Sequence, residues 1–286
     1  MAIHIITDGS ADLTPELAEQ YGIHIVPLHV HFGDECLTSN MDTNLFYRKL
    51  KENADLPKTS SPSPGDFLNM YKSLDSSRDI FVLCLTSQLS STYSHALMAK
   101  DLYEEEGHPN RVVVIDSKTS SIGLGLLAVR ASLMAKAGAS IHDISSKIQE
   151  YIKVTRTYFT LDTLENVIKG GRLSRIKGAV ASMLNIKLLM YANEEGSIDM
   201  MEKVRGTQRA LKRLVEKVEE AWHHADKDWI AFAHSNCEER AKEFMRAILD
   251  KYPFQNVMLV NMGPVIGTYA GEGGILVAFQ EPGSVV

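Results

Sequence analysis

The sequence predicts an α/β protein built from two units. Three observations lead there. Apolar strand-like runs alternate with helical periodicity through the first half of the chain, the order that folds into a parallel sheet covered by helices. After about residue 156 the order changes to hairpin, helix, strand, helix, strand, which suits a partly antiparallel sheet. With 286 residues, 44% hydrophobic and 23% charged, the chain is long enough to bury two cores and polar enough for a soluble globular protein. The expectation is a parallel-sheet, Rossmann-like N-terminal domain over 1–156 and a second α/β domain with a mixed sheet over 157–286.

Each element follows from local chemistry. Residues 3–7 are a short apolar strand. Thr14-Pro15-Glu16 reads as N-cap, first-turn proline and early acid of a helix reaching Gln20. Residues 23–32 read as a second strand, with Pro27 marking an edge or an interruption. A helix is expected over 45–51, then the hydroxyl-rich turn Lys58-Thr59-Ser60-Ser61-Pro62-Ser63-Pro64-Gly65-Asp66, then a helix carrying Phe67, Met70, Tyr71 and Leu74. Residues 80–85 form a buried strand, followed by a second hydroxyl-rich turn, Thr86-Ser87-Gln88-Leu89-Ser90-Ser91-Thr92, and a helix from about 92 to 106. Another buried strand covers 111–116, and helices follow near 122–137 and 141–154.

In the second half, 158–161 is a strand, and 184–191 and 197–204 flank Asn193-Glu194-Glu195-Gly196 as a hairpin. Ala210, Leu211, Leu214, Val215, Val218 and Trp222 make one stripe of a helix. Strands at 229–234, 257–262 and 275–279 and a helix at 238–251 complete the unit. Gly170-Gly171-Arg172 is a flexible turn exposing an arginine before an apolar helix. The segment 263–274 is dense in glycine, which suits either a close ligand approach or a tight connection.

Charge and composition exclude several functions. A net charge of −6 and the lack of a basic block argue against nucleic acid, although Lys203, Arg205, Arg209, Lys212 and Arg213 gather locally. Cys36, Cys84 and Cys237 are far apart, so neither a zinc site nor a disulfide framework is expected. No apolar stretch reaches the roughly 20 residues of a membrane helix. The N-terminus opens on a strand with no signal-peptide pattern, so no integral membrane segment and a cytoplasmic location are expected.

Both hydroxyl turns fall at expected helix starts, on the carboxyl ends of strands where open α/β sheets collect ligands. Helix N-termini hold anions, and Ser and Thr add neutral donors there. Ordinary capping is the competing reading of each turn, but the two together hold more hydroxyls than two helix ends need. No Gly-rich loop with an adjacent Lys accompanies them, so a single carboxylate or phosphate at the end of a larger ligand fits better than a nucleoside triphosphate. Gly123-x-Gly125-x-x-Ala128 matches a loose dinucleotide pattern but does not follow its strand directly, and helix packing explains its glycines better. Asp8 and Asp116 both end apolar strands. They would serve a Mg²⁺-dependent phosphotransferase or phosphatase if they met, or cap their own turns if they did not. Ser90 lacks the G-x-S-x-G setting of a hydrolase nucleophile.

Taken in order, Ile6-Thr7-Asp8-Gly9-Ser10-Ala11-Asp12-Leu13, Ile25-Val26-Pro27-Leu28, the segment 58–65, Leu89-Ser90-Ser91-Thr92-Tyr93, Val114-Ile115-Asp116-Ser117, Lys169-Gly170-Gly171-Arg172-Leu173-Ser174, Lys203-Val204-Arg205 and 263–273 resemble the DegV family of bacterial lipid-binding proteins. The resemblance spans almost the whole chain. It implies two α/β domains that bury a long-chain fatty acid, with no other cofactor. It also implies a non-catalytic role as the acyl-carrying subunit of a fatty acid kinase, whose separate catalytic subunit makes an acyl phosphate for phospholipid synthesis. A Thr of the family's T-S-Q-P turn and the Ser of its L-S-G-T turn hold the carboxylate, and they map to Thr59 and Ser90. Ser60, Ser91 and Tyr269 are expected to assist. Arg205, in the K-x-R segment, and Arg172 are expected to dock the kinase subunit. Three positions depart from the pattern: the family's Gln is Ser61, its Gly is Ser91, and the His of G-x-x-x-G-T-H is Tyr269. The last departure keeps a lipid sensor without a kinase partner as an alternative, because Tyr is a poorer proton carrier than His at neutral pH.

Overall fold

The computed structural model describes residues 3–173 and 185–282. The first unit runs β1 (Ile3–Asp8), α1 (Pro15–Tyr21), β2 (Ile23–Val26), β3 (His29–Phe32), β4 (Glu35–Thr38), α2 (Thr43–Glu52), β5 (Lys58–Ser60), α3 (Pro64–Ser73), β6 (Asp79–Cys84), α4 (Thr92–Glu105), β7 (Val112–Asp116), α5 (Ile122–Lys136) and α6 (Ile141–Val154). Its main sheet has the order β2-β1-β6-β7 and is parallel throughout. Strands covered on both faces must be apolar along their length, and Ile80, Phe81, Val82, Leu83 and Cys84 are all buried.

Residues 23–32 are not one strand. The chain leaves the parallel sheet at Pro27, which has no N–H to donate, and β3 starts a separate antiparallel sheet of order β4-β3-β5. Part of the first hydroxyl turn is itself strand: β5 pairs with β3, with Thr59 opposite Val30. The helix after it begins with a reciprocal cap, in which Ser63 Oγ accepts from Asp66 N–H while the Asp66 carboxylate accepts from Ser63 N–H.

The second unit runs β8 (Thr155–Thr160), α7 (Glu165–Lys169), β9 (Ile186–Ala192), β10 (Ile198–Arg205), α8 (Thr207–Ala221), β11 (Trp229–His234), α9 (Glu238–Leu249), β12 (Asn256–Asn261), α10 (Pro264–Ala270) and β13 (Ile275–Gln280). Its sheet, β10-β9-β8-β13-β11-β12, is mixed, with β11 and β12 parallel and the other pairs antiparallel. The Gly-dense segment folds as a helix, α10, with Pro264 in its first turn. Gly267 lets it approach α2 closely: a Cβ there would lie 2.7 Å from the Phe46 ring. The apolar helix expected after Arg172 falls on 174–184, outside the described residues.

Helix α5 joins the two units. Twelve of its 15 residues are buried, as expected of a helix that is apolar all round. It packs on β1 and β6 of one sheet and on β11 and β13 of the other. Each of Leu124, Leu126, Leu127 and Val129 contributes roughly 1.5–3 kcal/mol by leaving water. A Cβ on Gly125 would lie 2.7 Å from the carbonyl oxygen of Ala11, so the G-x-G-x-x-A pattern serves packing.

Candidate functional site

A cavity of about 320 Å³ lies between the units, where the loops after β5, β6 and β7 meet β8, α10 and the turn after α7. Its walls include Leu28, Leu85, Leu89, Phe159, Leu161, Ile198, Val265, Ile266 and Leu276. Thr59, Ser60, Ser61, Ser90, Ser91, Arg172 and Tyr269 also line it, with Ser60 and Ser91 exposed and the others half-buried. No Asp or Glu stands among the described lining residues. One end is therefore polar and carries an arginine, and the rest of the described lining is mostly apolar.

The polar end is built from hydroxyl pairs. Thr59 Oγ1 lies 2.5 Å from the Tyr269 hydroxyl. Ser90 Oγ lies 2.8 Å from Thr92 Oγ1 and also accepts from Thr92 N–H at 3.2 Å. Two hydroxyls in contact share one hydrogen, so each pair retains a second O–H, which Ser90 offers to the cavity when the buried Thr92 donates within its pair. Arg172 lies over the Tyr269 ring, 4.8 Å from its centroid, and donates to the carbonyls of Gly170 and Leu89. A Cβ on Gly170 would lie 2.4 Å from the same ring, so only glycine admits Tyr269 this close. A second band of hydroxyls, Thr86, Thr119, Ser120, Ser121 and Thr157, lies elsewhere on the lining, and Thr119 and Thr157 bond to each other at 2.9 Å.

Asp12 anchors part of the lining through Ser121. It is buried with a positive φ of 53°, and its carboxylate accepts from Ser121 Oγ at 2.5 Å and from Gly263 N–H at 2.8 Å. It thus ties the loop after β1 to the starts of α5 and α10. Burial pushes its carboxyl up to about 7, above the ordinary 3.8.

All five residues expected to hold a carboxylate line the one cavity. Arg172, expected to dock a partner, lines it too. Arg205 does not: it ends β10, exposed and opposite Ile186. Asp8 and Asp116 do not converge, since β6 stands between their strands, roughly 10 Å apart at two strand spacings. Asp8 accepts from Ser10 N–H, Ser10 Oγ and Leu85 N–H, and Asp116 from Ser87 N–H and Lys118, so each holds its own turn and also fixes the segment after β6. Among the described residues, no group of three or more His, Cys, Asp or Glu is placed to hold a metal. None of the described helices is long and apolar enough to cross a membrane. Sequence reasoning missed His95, whose Nδ1 lies 2.7 Å from the Pro62 carbonyl and 3.3 Å from Ser61 Oγ. Its spacing of four from Ser91 on α4 was the available signal.

Comparison with known proteins places this architecture. The sequence model described as "Uncharacterised protein, DegV family" matches residues 2–281. Protein DegV of Bacillus subtilis is 32% identical over 279 residues, covering 96% of this chain and 98% of its own. A DegV-family structure from Ruminococcus gnavus, described with vaccenic acid, superposes with a TM-score of 0.90 at 32% identity, covering 97% of this chain and 99% of its own. A Thermotoga maritima structure, described as revealing fatty acid binding function, superposes with a TM-score of 0.85 at 27% identity, covering 98% of this chain and 99% of its own. The chain belongs to the DegV family.

Proposed function

We propose that the protein is a non-catalytic carrier of one long-chain fatty acid, with the acyl chain in the cavity and the carboxylate at its hydroxyl end. One observation carries the reading: spare O–H donors and Arg172 gather at one end of a mostly apolar cavity with no carboxylate among its described lining residues. Burying a bare carboxylate is prohibitive without such donors. A tail of about 16 carbons contributes on the order of 10 kcal/mol before ordering costs, at ~0.8 kcal/mol per methylene. The fatty acids described for the R. gnavus and T. maritima relatives support the assignment. Thr59 and Ser90 hold the carboxylate, and Ser60, Ser91 and Tyr269 assist. The units divide close to the expected 156/157, at the junction of α6 and β8, so that the second closes the site.

The test is native mass spectrometry of protein purified from a bacterial host. A one-to-one adduct of fatty-acid mass is expected. Thr59→Val with Ser90→Ala is expected to lose it while far-UV circular dichroism stays unchanged. Retention by the double variant would sink the assignment.

The finer role is presentation of the carboxylate to a fatty acid kinase subunit, with Arg205 as the docking residue and Arg172 at the cavity facing that partner. The exposed position of Arg205, near exposed Arg209 and Lys212, supports it. Arg205→Ala is expected to slow kinase-dependent acyl phosphate formation at least tenfold with lipid affinity unchanged. Tyr269, tied to Thr59 and offering only a neutral donor, favours the second reading, a lipid sensor. No acyl phosphate from either wild type or variant, with the kinase subunit present, would select that reading.

A further inference from the structure

A third hydroxyl pair stands at the same end of the cavity, and a histidine fixes its direction. Ser61 Oγ lies 2.8 Å from Ser91 Oγ, and His95 Nδ1 lies 3.3 Å from Ser61 Oγ and 2.7 Å from the carbonyl oxygen of Pro62. A carbonyl only accepts, so the 2.7 Å contact requires the hydrogen to sit on Nδ1. That nitrogen then has no lone pair for a serine hydrogen, and its contact with Ser61 is a second, weaker donation. One serine hydrogen joins Ser61 to Ser91. The other is left for an acceptor in the cavity, which both serines line.

Neither serine is used up by a helix end. Ser91 occupies the N-cap position of α4, yet its hydroxyl caps no backbone N–H, and Ser90 accepts from Thr92 N–H instead. The cap of α3 is built by Ser63 and Asp66 and leaves Ser61 out. Both serines also stand where this chain departs from the pattern it resembles, so the relay is a feature of this sequence.

We infer that His95, Ser61 and Ser91 form a one-way donor relay that positions the anionic head of the bound lipid, with His95 a positioning residue that acts through the serines. The inference rests on the acyl-carrier reading above and specifies its ligand. Three hydroxyl pairs, Thr59–Tyr269, Ser90–Thr92 and Ser61–Ser91, each keep one O–H, and an ionised carboxylate offers about four acceptor sites. An alcohol or ester head offers fewer and carries no charge. The site therefore selects the free acid over the neutral lipid of equal chain length.

The test compares oleic acid with oleyl alcohol on delipidated protein, by displacement of a fluorescent lipid. Ser91→Ala and His95→Ala are each expected to weaken oleate about tenfold or more, the effect of one hydrogen bond to a charged group. Oleyl alcohol should change by less than about twofold, which also shows that each variant is folded; a structural role would move both lipids. The double variant should bind oleate no worse than Ser91→Ala alone, because both changes cut one relay. His95→Asn should restore oleate binding, since the asparagine amide can donate to the Pro62 carbonyl from nearly the same place. Oleate affinities within twofold of wild type, losses that add in the double variant, or equal losses for acid and alcohol would each overturn the relay. A wild type that binds neither lipid would overturn the carrier reading itself.

Discussion

Asp12 shows how one residue couples the chemistry of burial to the site above it. The hydroxyl residues of the site could be picked out in the sequence because their number exceeds what helix capping consumes. Asp12 could not, since its role depends on Ser121 and Gly263, 109 and 251 positions away. His95 was hidden for the same reason, because its partner Pro62 lies 33 positions away. The Asp12 carboxyl, held at about 7 in the folded protein against an ordinary 3.8, binds its proton more tightly there than in the unfolded chain. The stabilisation from Asp12 is therefore complete below about pH 4 and is lost as pH rises through about 7, a change on the order of 4 kcal/mol. Burial lowers His24 and His234, which act with the opposite sign, so the informative quantity is a difference between proteins. Asp12→Asn, which mimics the neutral acid, is expected to gain stability relative to wild type between about pH 4 and pH 7, the window set by the two values, and to level off above it. Urea unfolding at each pH checks this, and a difference that stays constant with pH would disprove the linkage.

At the scale of elements, legibility followed the range of the interactions that decide each one. Strands β1, β6, β7 and β11 read directly from apolar runs because burial on both faces demands them. Helices α3 and α6 start on Ser-x-x-Asp caps, Ser63 with Asp66 and Ser140 with Asp143, which are local in sequence. Strand β5 was read as turn because its three residues become strand only by pairing with β3, some 28 residues earlier. The break at Pro27 was visible, but the departure of β3 into another sheet was not, since nothing in residues 28–32 encodes which edge they will meet. Helix α10 was obscured by its glycines, which lower helix propensity. Its helix is favoured by packing against α2, and Gly267 gives up propensity for that contact. The same logic explains α5, whose glycines resembled a nucleotide loop yet admit the backbone of the loop after β1.

For the whole molecule, the consequence is that two sheets share one helix, and Arg130 is where this can be tested. Its guanidinium, with only 9% of the side chain exposed, leaves α5 and reaches into the second unit. It donates to Asp228 and Asp226 at 2.5 Å each and to Gln280 at 3.3 Å, and it lies 5.1 Å from the Tyr151 ring centroid. Nearby, Tyr21 of the first unit packs edge-on against Trp229 of the second, with 6.1 Å between ring centroids. Replacing Arg130 with methionine keeps most of the apolar stem but leaves two neighbouring aspartates without their counter-charge, a loss of roughly 3–5 kcal/mol by analogy with other broken buried pairs. The partial exposure of Asp226 and Asp228 places the expected loss near the lower end. Because α5 is part of both cores, the loss should lower one cooperative transition and not release one unit ahead of the other. Both tryptophans, Trp222 and Trp229, lie in the second unit, so their fluorescence reports on that unit and, through Trp229 and Tyr21, on its seam with the first, whereas far-UV circular dichroism reports on the whole chain. Midpoints that fall together in Arg130→Met, with an unchanged denaturant slope, are the expected result. If the fluorescence transition separated from the dichroism transition, the units would be independent. The cavity between them would then depend on a hinge and not on a shared core.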